Sequence, residues 1–588
     1  MQQRLSLALI NPARLLFLTF VTLAACAAAP SKTDKGAAAT PHTSASEREE
    51  VIDAMQAELQ RSMKQLKFKD YDAPYFIAYQ LKDLDSQSVT GRFGSLIDRS
   101  DTRNRYVYTE VRVGDYAFDN FANIDNEAYR LQEYSVDKRA PLDTNMLALR
   151  GILWQLTDEA YKKALSDFLT KKGGAVYATD EKTDVPSFSK ERTQKYRGEV
   201  RAAPFDQEKW AKVVERMTAR MRKSKVLIDG AMEVSVNHTT RYLVTSEGTD
   251  IVDDQMVYSI QIEAVARADD GMPLENGRTF YARTASELPD EATITAEVDE
   301  MLTELAALRE APVIDPYTGP AILMPEASGV LFHEAVGHRL EGERQRDAEE
   351  GQTFRGRLED QVIPTFLSVY DDPTLERWDG KQLNGFYKYD DEGVVAQRVA
   401  LIEAGVLRGF LKSRTPIEDA PKSNGHGRAQ GVLKPIARMA NLLVAADEKQ
   451  TVSYDELKKM LMAETKKQGK PFGLIIRDIT GGSTNTSGYG YQAFKGASRM
   501  IYKVDPETGK ETLVRGAELV GTPLVSINKI VAASKETGIF NGYCGAESGY
   551  VPVSTIAPAL LTTEIELQRS QTVKERAPLL SPPWSESP

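Results

Sequence analysis

The residues of this 588-residue chain best suited to bind a metal lie in the stretch 331–343, which reads LFHEAVGHRLEGE. His333 and Glu334 are followed by His338, one position later than in the zinc-binding pattern His-Glu-x-x-His. Positions i and i+4 of an α-helix lie about 40° apart around its axis, whereas i and i+5 lie about 140° apart. We therefore predict that the helix widens by one residue between the histidines, as a π-bulge, with Gly337 easing the distortion.

A catalytic zinc usually has three protein ligands and keeps one position for water, so two histidines need a third donor. Cys544 is the natural candidate, and the glycines around it in NGYCGAESG predict a loop that approaches a metal closely. Glu334 lies next to the first histidine and would take a proton from the metal-activated water. These residues predict one zinc per chain, bound by His333, His338 and Cys544.

Several other polar residues are candidates for supporting roles. Glu341 and Glu343 could orient a zinc-bound histidine, although such carboxylates are more often solvated. Substrate binding or oxyanion stabilisation is predicted for His426, Arg428, Arg438 and Tyr543, although each alone is more often structural. The glycine-rich run TGGSTNTSGYGYQAFKG lacks the phosphate-loop pattern and could border a peptide-binding cleft.

The N-terminal residues predict export and lipidation. Two arginines precede an apolar run at 15–25, which is too short to span a bilayer of ~30 Å but long enough for a secretory signal. The run ends in LAAC at Cys26, which resembles the lipobox of bacterial lipoproteins; cleavage by ordinary signal peptidase is the alternative. Ala27, rather than Asp, follows the cysteine, which favours an outer-membrane anchor facing the periplasm. Cys544 would then be a lone thiol in an oxidising compartment, protected by a metal or by burial.

The pattern of apolar residues predicts an α+β protein in two halves. The first half shows a helix followed by antiparallel strands, twice, which indicates a duplicated unit; a capping box is predicted at Ser46–Glu49 and separate strands from Pro74, Ser88 and Arg105. The second half is β-rich, of barrel or sandwich type, and carries the helix with the two histidines. The predicted divisions are 1–25 lipoprotein signal, 26–45 flexible tether, 46–310 tandem α+β region, 311–570 metallopeptidase domain and 571–588 disordered tail.

The segments HEAVGHRLEGE, YDDEGVVAQRVALIEAGVLRGFLKSR, SNGHGR, ARMANL and NGYCGAESGYVPV, in this order, resemble the TldD/PmbA family of metalloproteases, on its zinc-binding TldD side. The resemblance covers residues 321–568. It implies a zinc peptidase with ligands at His333, His338 and Cys544, with Glu334 as catalytic base, acting on unstructured peptides inside an enclosed dimer. Ala546 stands where a lysine is expected after Cys-Gly, and the well-known members are cytoplasmic, so their substrates are not carried over.

Two functions from different classes remain open at this point. The first is a lipid-anchored zinc metallopeptidase that cleaves extended or unfolded peptides, with a homodimer as the expected assembly. The second is a non-catalytic peptide-binding or scaffold lipoprotein with a structural zinc, which would require four protein ligands rather than three. The net charge of −11 and the lack of a basic block argue against a nucleic-acid partner.

Overall fold

The first half of the chain is built on long antiparallel strands. The computed structural model describes residues 43–121, 138–177, 185–346, 350–418, 420–488, 493–570, 578, 580 and 582–585. Its elements in this half are α1 (Ala45–Gln65), β1 (Pro74–Arg92), β2 (Ser95–Val113), α2 (Met146–Tyr177), β3 (Lys195–Arg197), α3 (Gln207–Met221), β4 (Leu227–Thr245), β5 (Asp250–Arg267), β6 (Pro273–Ala282) and α4 (Glu291–Glu310).

The two predicted units share a single sheet, in which β1 pairs with both β2 and β4, and β5 pairs with β4, β6 and β3. Alternate residues such as Tyr79 and Tyr242 face the helices and form two cores, one with α1 and α2 and the other with α3 and α4. The intervening residues, among them Lys82 and Arg241, face the second half of the chain. Helix followed by antiparallel strands does recur, and the α+β class is confirmed.

Two local predictions in this half were wrong. The strands predicted from Pro74 and Ser88 are one continuous strand, because the turn falls later, at Phe93 and Gly94, where φ is positive. The capping box is made by Ser44 and Glu47 rather than by Ser46 and Glu49, so α1 begins at Ala45. Cys26, the signal segment and most of the predicted tether lie outside the described residues, as does most of the predicted tail.

The second half is a β-rich structure with few helices. Its elements are β7 (Tyr317–Leu323), α5 (Pro325–Ala335), β8 (Leu367–Asp371), β9 (Arg377–Trp378), β10 (Lys381–Gln382), β11 (Val399–Glu403), β12 (Val406–Leu407), β13 (Gly427–Arg428), β14 (Ile436–Ala437), β15 (Asn441–Ala446), β16 (Thr451–Val452), α6 (Tyr454–Lys467), β17 (Gly473–Thr484), β18 (Phe494–Val504), β19 (Glu511–Val514), β20 (Ala517–Gly521), α7 (Pro523–Ile527), β21 (Ile530–Ala546) and β22 (Gly549–Arg569).

Strand pairing in this half closes on itself, as the barrel alternative predicted. The ring runs β7–β17–β18–β20–β22 and returns to β7. Helix α5 packs against β17, β21 and β22, and every residue from Ala327 to Ala335 is buried. The predicted hairpin at Ala404-Gly405 is also present, with positive φ at both residues.

None of the helices in the described part of the chain combines the length and apolar content needed to cross a membrane.

Candidate metal centre

The α-helix that carries His333 ends before it reaches His338. Val336 has φ −121° and ψ −52°, outside the helical region, and Gly337–Leu340 then form a 3₁₀ turn. The predicted π-bulge is therefore wrong: a break in the helix, not a wider turn, redirects the second histidine. Glycine is needed at 337 for another reason, because a Cβ there would lie 2.1 Å from the Met439 Sδ atom.

Cys544 lies near the end of strand β21, two residues before the turn into β22, and not in a loop as predicted. Side chains alternate across a strand, so Cys544 points inward and is 4% exposed, whereas Tyr543 points outward and is 46% exposed. The long hairpin of β21 and β22 pairs regularly through this region, with Cys544 opposite Val551. Its neighbouring glycines are accommodated as strand residues.

The fold brings the three predicted ligands together. One donor atom from each of His333, His338 and Cys544 lies within 4.8 Å of the others, and all three residues are buried. The Cys544 Sγ atom is 3.4 Å from His338 Nε2, and the two imidazole rings stand 5.0 Å apart at 88°. Two nitrogens and one sulfur in this arrangement fit a zinc ion, which prefers such donors. Among the described residues, no fourth histidine, cysteine or carboxylate joins the group.

The electrostatics of the centre favour a thiolate at Cys544. Burial alone would raise the pKa of this thiol, but His338 and His333 outweigh it and hold the pKa well below its usual value. Burial also raises the pKa of Glu334, with His333 and His338 opposing that rise. A carboxyl whose pKa is raised accepts a proton more readily than a solvated carboxyl does.

Glu341 supports the second histidine, as predicted for this position. Its Oε2 atom is 3.1 Å from His338 Nδ1 and accepts a hydrogen bond from Arg344 Nε at 3.0 Å. Burial would raise the pKa of Glu341, but His338 and Arg344 lower it to about 2, so the group is a carboxylate. Glu343 does not share this role, because its carboxylate accepts a hydrogen bond from Ser413 instead.

The residues predicted to bind substrate are spread around the centre. His426 has no exposed surface, and its ring nitrogens lie 3.2 Å from an Asp371 oxygen and 3.0 Å from the Asn424 carbonyl. Arg428 is buried and donates to the carbonyls of Met439 and Pro552. A role in substrate binding stays a prediction for both residues.

Arg438 and Tyr543 are both neighbours of Cys544, the first through a hydrogen bond and the second along strand β21. Arg438 donates to the Cys544 carbonyl at 2.5 Å, while the Tyr543 ring packs edge-on against Tyr281 at 6.2 Å between centroids. Neither side chain is part of the group of three donor residues. Their role in substrate binding likewise stays a prediction.

The glycine-rich strand predicted to border the cleft lies against Glu334. A Cβ on Gly482 would come within 2.6 Å of Glu334 Cγ, so the strand passes directly over the carboxylate side chain. Arg339 joins the two elements by donating to the Glu334 carbonyl at 2.7 Å and to Thr484 Oγ1 at 3.0 Å. The sequence analysis did not identify Arg339 and Arg344 as residues of the site. Both lie in the run HRLEGER, whose many charges are typical of a solvated surface, yet both side chains are buried.

The β-rich half of the chain surrounds a buried His-His-Cys group with a glutamate beside one histidine, which are the residue types that zinc-dependent hydrolysis requires. Residues 316–569 match the PmbA/TldA metallopeptidase C-terminal domain. The matched residues make up less than half of the chain, and the match confirms the resemblance of its C-terminal part to the TldD/PmbA family.

Curated relatives of the chain are named metalloproteases. A metalloprotease of Methanocaldococcus jannaschii is 34% identical over 40% of this chain and 47% of its own length. A Haemophilus influenzae metalloprotease TldD homolog is 32% identical over 46% and 54%, and a Saccharolobus solfataricus zinc metalloprotease TldD homolog 28% identical over 42% and 51%. The chain thus spans about half the length of these relatives, and their names suggest peptidase activity.

Solved structures extend the likeness of fold beyond the C-terminal domain. TldE from Thermococcus kodakarensis superposes with a TM-score of 0.55 at 14% identity, covering 88% of this chain and 100% of that one. A Thermotoga maritima structure gives a TM-score of 0.58 at 17% identity, covering 88% and 99%. At such identities the likeness concerns the fold alone, and it includes the N-terminal half.

Proposed function

We propose that the chain is a zinc metallopeptidase that hydrolyses peptide bonds in extended or unfolded peptides. The observation that carries this proposal is the convergence of His333, His338 and Cys544 beside Glu334. The name of the Saccharolobus solfataricus relative, a zinc metalloprotease, supports the choice of metal. Three donors in the described part of the chain favour a catalytic site over the structural zinc of a scaffold protein, because a catalytic site keeps a position for water.

Each residue of the centre has a distinct task in the proposed reaction. A zinc ion on these three ligands would supply an acidified water and a polarised peptide carbonyl. Glu334 takes the proton of the attacking water on a carboxylate oxygen and passes it to the nitrogen of the leaving amine. Glu341 fixes the orientation of the His338 ring through Nδ1.

Two substitutions separate metal binding from the chemical step. Cys544→Ala removes a ligand, so we expect loss of most zinc and of all peptidase activity. Glu334→Gln keeps the three ligands, so zinc should stay near the wild-type level while the rate falls at least ~10²-fold. Metal analysis and cleavage of an unfolded peptide mixture measure both.

Zinc content and peptidase activity can contradict the proposal in two different ways. Full zinc and full activity in Cys544→Ala would place the third ligand elsewhere. An active Glu334→Gln would refute the role of Glu334 as base while leaving the metal assignment intact.

We also propose that the protein is lipidated at Cys26, faces the periplasm from the outer membrane and acts as a homodimer. The LAAC sequence supports the anchor, and the position of the second cysteine, Cys544, within the metal centre agrees with an exported chain that needs no disulfide. A dimer would enclose the active sites, which would admit extended chains and exclude folded proteins. The membrane is contacted only through the lipid, and no nucleic acid is expected.

A further inference from the structure

Arg438 is fully buried and has its guanidinium group fixed by the hairpin that carries Cys544. Its Nη2 atom donates to the Cys544 carbonyl at 2.5 Å, and its Nη1 atom donates to Ser548 Oγ at 2.8 Å and to the Gly549 carbonyl at 2.9 Å. These acceptors lie on β21, within the turn and at the start of β22. One planar side chain therefore sets the geometry of the turn from within.

The same side chain also contacts the residue that orients His338. Arg438 Nε is 3.5 Å from Glu341 Oε1, on the carboxylate whose other oxygen lies 3.1 Å from His338 Nδ1. Arg344 makes a second connection of this kind, since it donates to Glu341 at 3.0 Å and to Glu547 in the hairpin turn at 2.9 Å. Two arginines thus join the turn after α5 to the end of β21.

The connection matters because the ligands come from segments far apart in the chain. His338 and Cys544 are separated by 206 positions, and within the described part of the chain no backbone hydrogen bond links the 3₁₀ turn of His338 to β21. Zinc requires its nitrogen and sulfur ligands at about 2.0–2.3 Å in a tetrahedral arrangement. A shift of the hairpin by a fraction of this distance would spoil the site.

We propose that Arg438 is a positioning residue that holds Cys544, and through Glu341 also His338, in the arrangement that binds the metal. This inference rests on the proposed zinc site. Arg438 reaches the ligands only through the Cys544 carbonyl and the Glu341 carboxylate, so it replaces neither a ligand nor the base. Residues that orient metal ligands typically contribute about 10- to 100-fold to metal affinity.

The test measures zinc affinity by competition with a chromophoric chelator, together with the absorption spectrum of the cobalt-substituted full-length protein. Arg438→Gln should weaken zinc binding about 10- to 100-fold and change the cobalt–thiolate band, because Cys544 moves. Arg438→Lys keeps the charge near Glu341 but cannot reach all three hairpin acceptors, so it should lie between wild type and Arg438→Gln.

A matched control is Arg414→Lys. Arg414 is also buried and also bonds a backbone carbonyl and a carboxylate, those of Ser189 and Glu247, but it contacts none of the ligands. The zinc affinity and the cobalt spectrum of the Arg414→Lys variant should equal those of the wild-type protein. A Glu341→Gln variant completes a double-mutant cycle with Arg438→Lys, and coupling in that cycle is expected because the two side chains act as one unit.

The outcomes distinguish the inference from the proposed function. Wild type that binds no zinc overturns both. Wild type that binds zinc, with folded Arg438 variants of unchanged affinity and cobalt spectrum, overturns the inference alone. If Arg438→Gln does not fold, Arg438→Lys and the cycle decide: additive losses contradict a positioning role, and non-additive losses support it.

Discussion

Glu263 is a half-buried carboxyl of the N-terminal sheet, and its negative charge is energetically unfavourable in the folded protein. It lies on β5 between neighbouring strands that carry Glu275 and Glu233. Burial, followed by repulsion from these two glutamates, raises the pKa of Glu263 to about 7. The folded protein therefore binds more protons at this group than the unfolded chain does between about pH 4.5 and pH 7. The contribution of Glu263 to the free energy of unfolding therefore falls as the pH rises through that window.

We predict that Glu263→Gln stabilises the protein above pH 7, by about 1–3 kcal/mol, and that the gain disappears below about pH 4.5. The amide keeps the shape of the side chain but removes the charge that burial and repulsion penalise. Chemical denaturation at several pH values measures the difference. Glu300→Gln, on the exposed side of α4, is the control and should change little at any pH. A gain for Glu263→Gln that is equal at pH 4 and pH 8 would contradict the argument.

At the scale of elements, the candidate metal centre depends on the break that ends helix α5 and on strand β17, which packs over the end of that helix. The break at Val336 turns His338 toward Cys544, and Arg339 folds back to bond the helix carbonyl of Glu334. The same guanidinium reaches Thr484 and thereby holds β17 over the helix. Strand β17 passes so close to Glu334 that the carboxylate can keep its position only if the strand has a glycine there.

Two adjacent glycines in β17 provide a matched pair for testing this. A Cβ at Gly482 would lie 2.9 Å from Glu334 Oε1, whereas one at Gly481 would meet nothing within 4 Å. We predict that Gly482→Ala displaces the carboxylate and slows peptide cleavage by about 10- to 100-fold, with zinc content unchanged. Gly481→Ala should retain wild-type rates. Equal rates in the two variants would show that β17 does not set the position of Glu334.

At the scale of the whole molecule, the face of the N-terminal sheet opposite the helices packs on the C-terminal half through buried charges. Lys82 donates to the Ala429 carbonyl at 3.0 Å, and Arg241 to the carbonyls of Asp390 and Tyr389 at 2.5 and 3.1 Å. Arg241 also pairs with Asp391 at 3.2 Å. Such buried pairs are costly to separate, so we expect the two halves to unfold together.

We predict that the purified protein is a homodimer in solution. Light scattering at micromolar concentration should give twice the mass of one chain. The prediction rests on the family resemblance, and its functional consequence would be that an enclosed pair of sites admits extended chains and excludes folded proteins. A monomer that is fully active on peptides would refute this assembly.

Lipidation is the second prediction at this scale. Mass spectrometry of the mature protein should find an N-terminal Cys26 that carries acyl chains, and the protein should fractionate with the outer membrane. Cys26→Ser, the matched variant, should lose the acyl mass and the membrane association, because the lipid is the only proposed anchor. An unmodified N-terminus at Ala27 or later in the wild-type protein would contradict it.

The amino-acid sequence alone determined the local features and the candidate metal ligands. The type of residue needed for zinc, the helix before His333 and the hairpin at Ala404-Gly405 follow from short-range chemistry and conformational preference. The structure contains the helix, the hairpin and the converging donors.

Only the tertiary structure decided how these parts meet. Gly337 packs on Met439 directly after the helix ends at Ala335, and the pairing with β22 makes Cys544 a strand residue. Arg438 is buried where Glu341 and the hairpin turn offer it partners. Several of these contacts join residues far apart in the chain, such as Gly337 with Met439 and Arg438 with Cys544, and the spacing of residues along the chain does not encode such contacts directly.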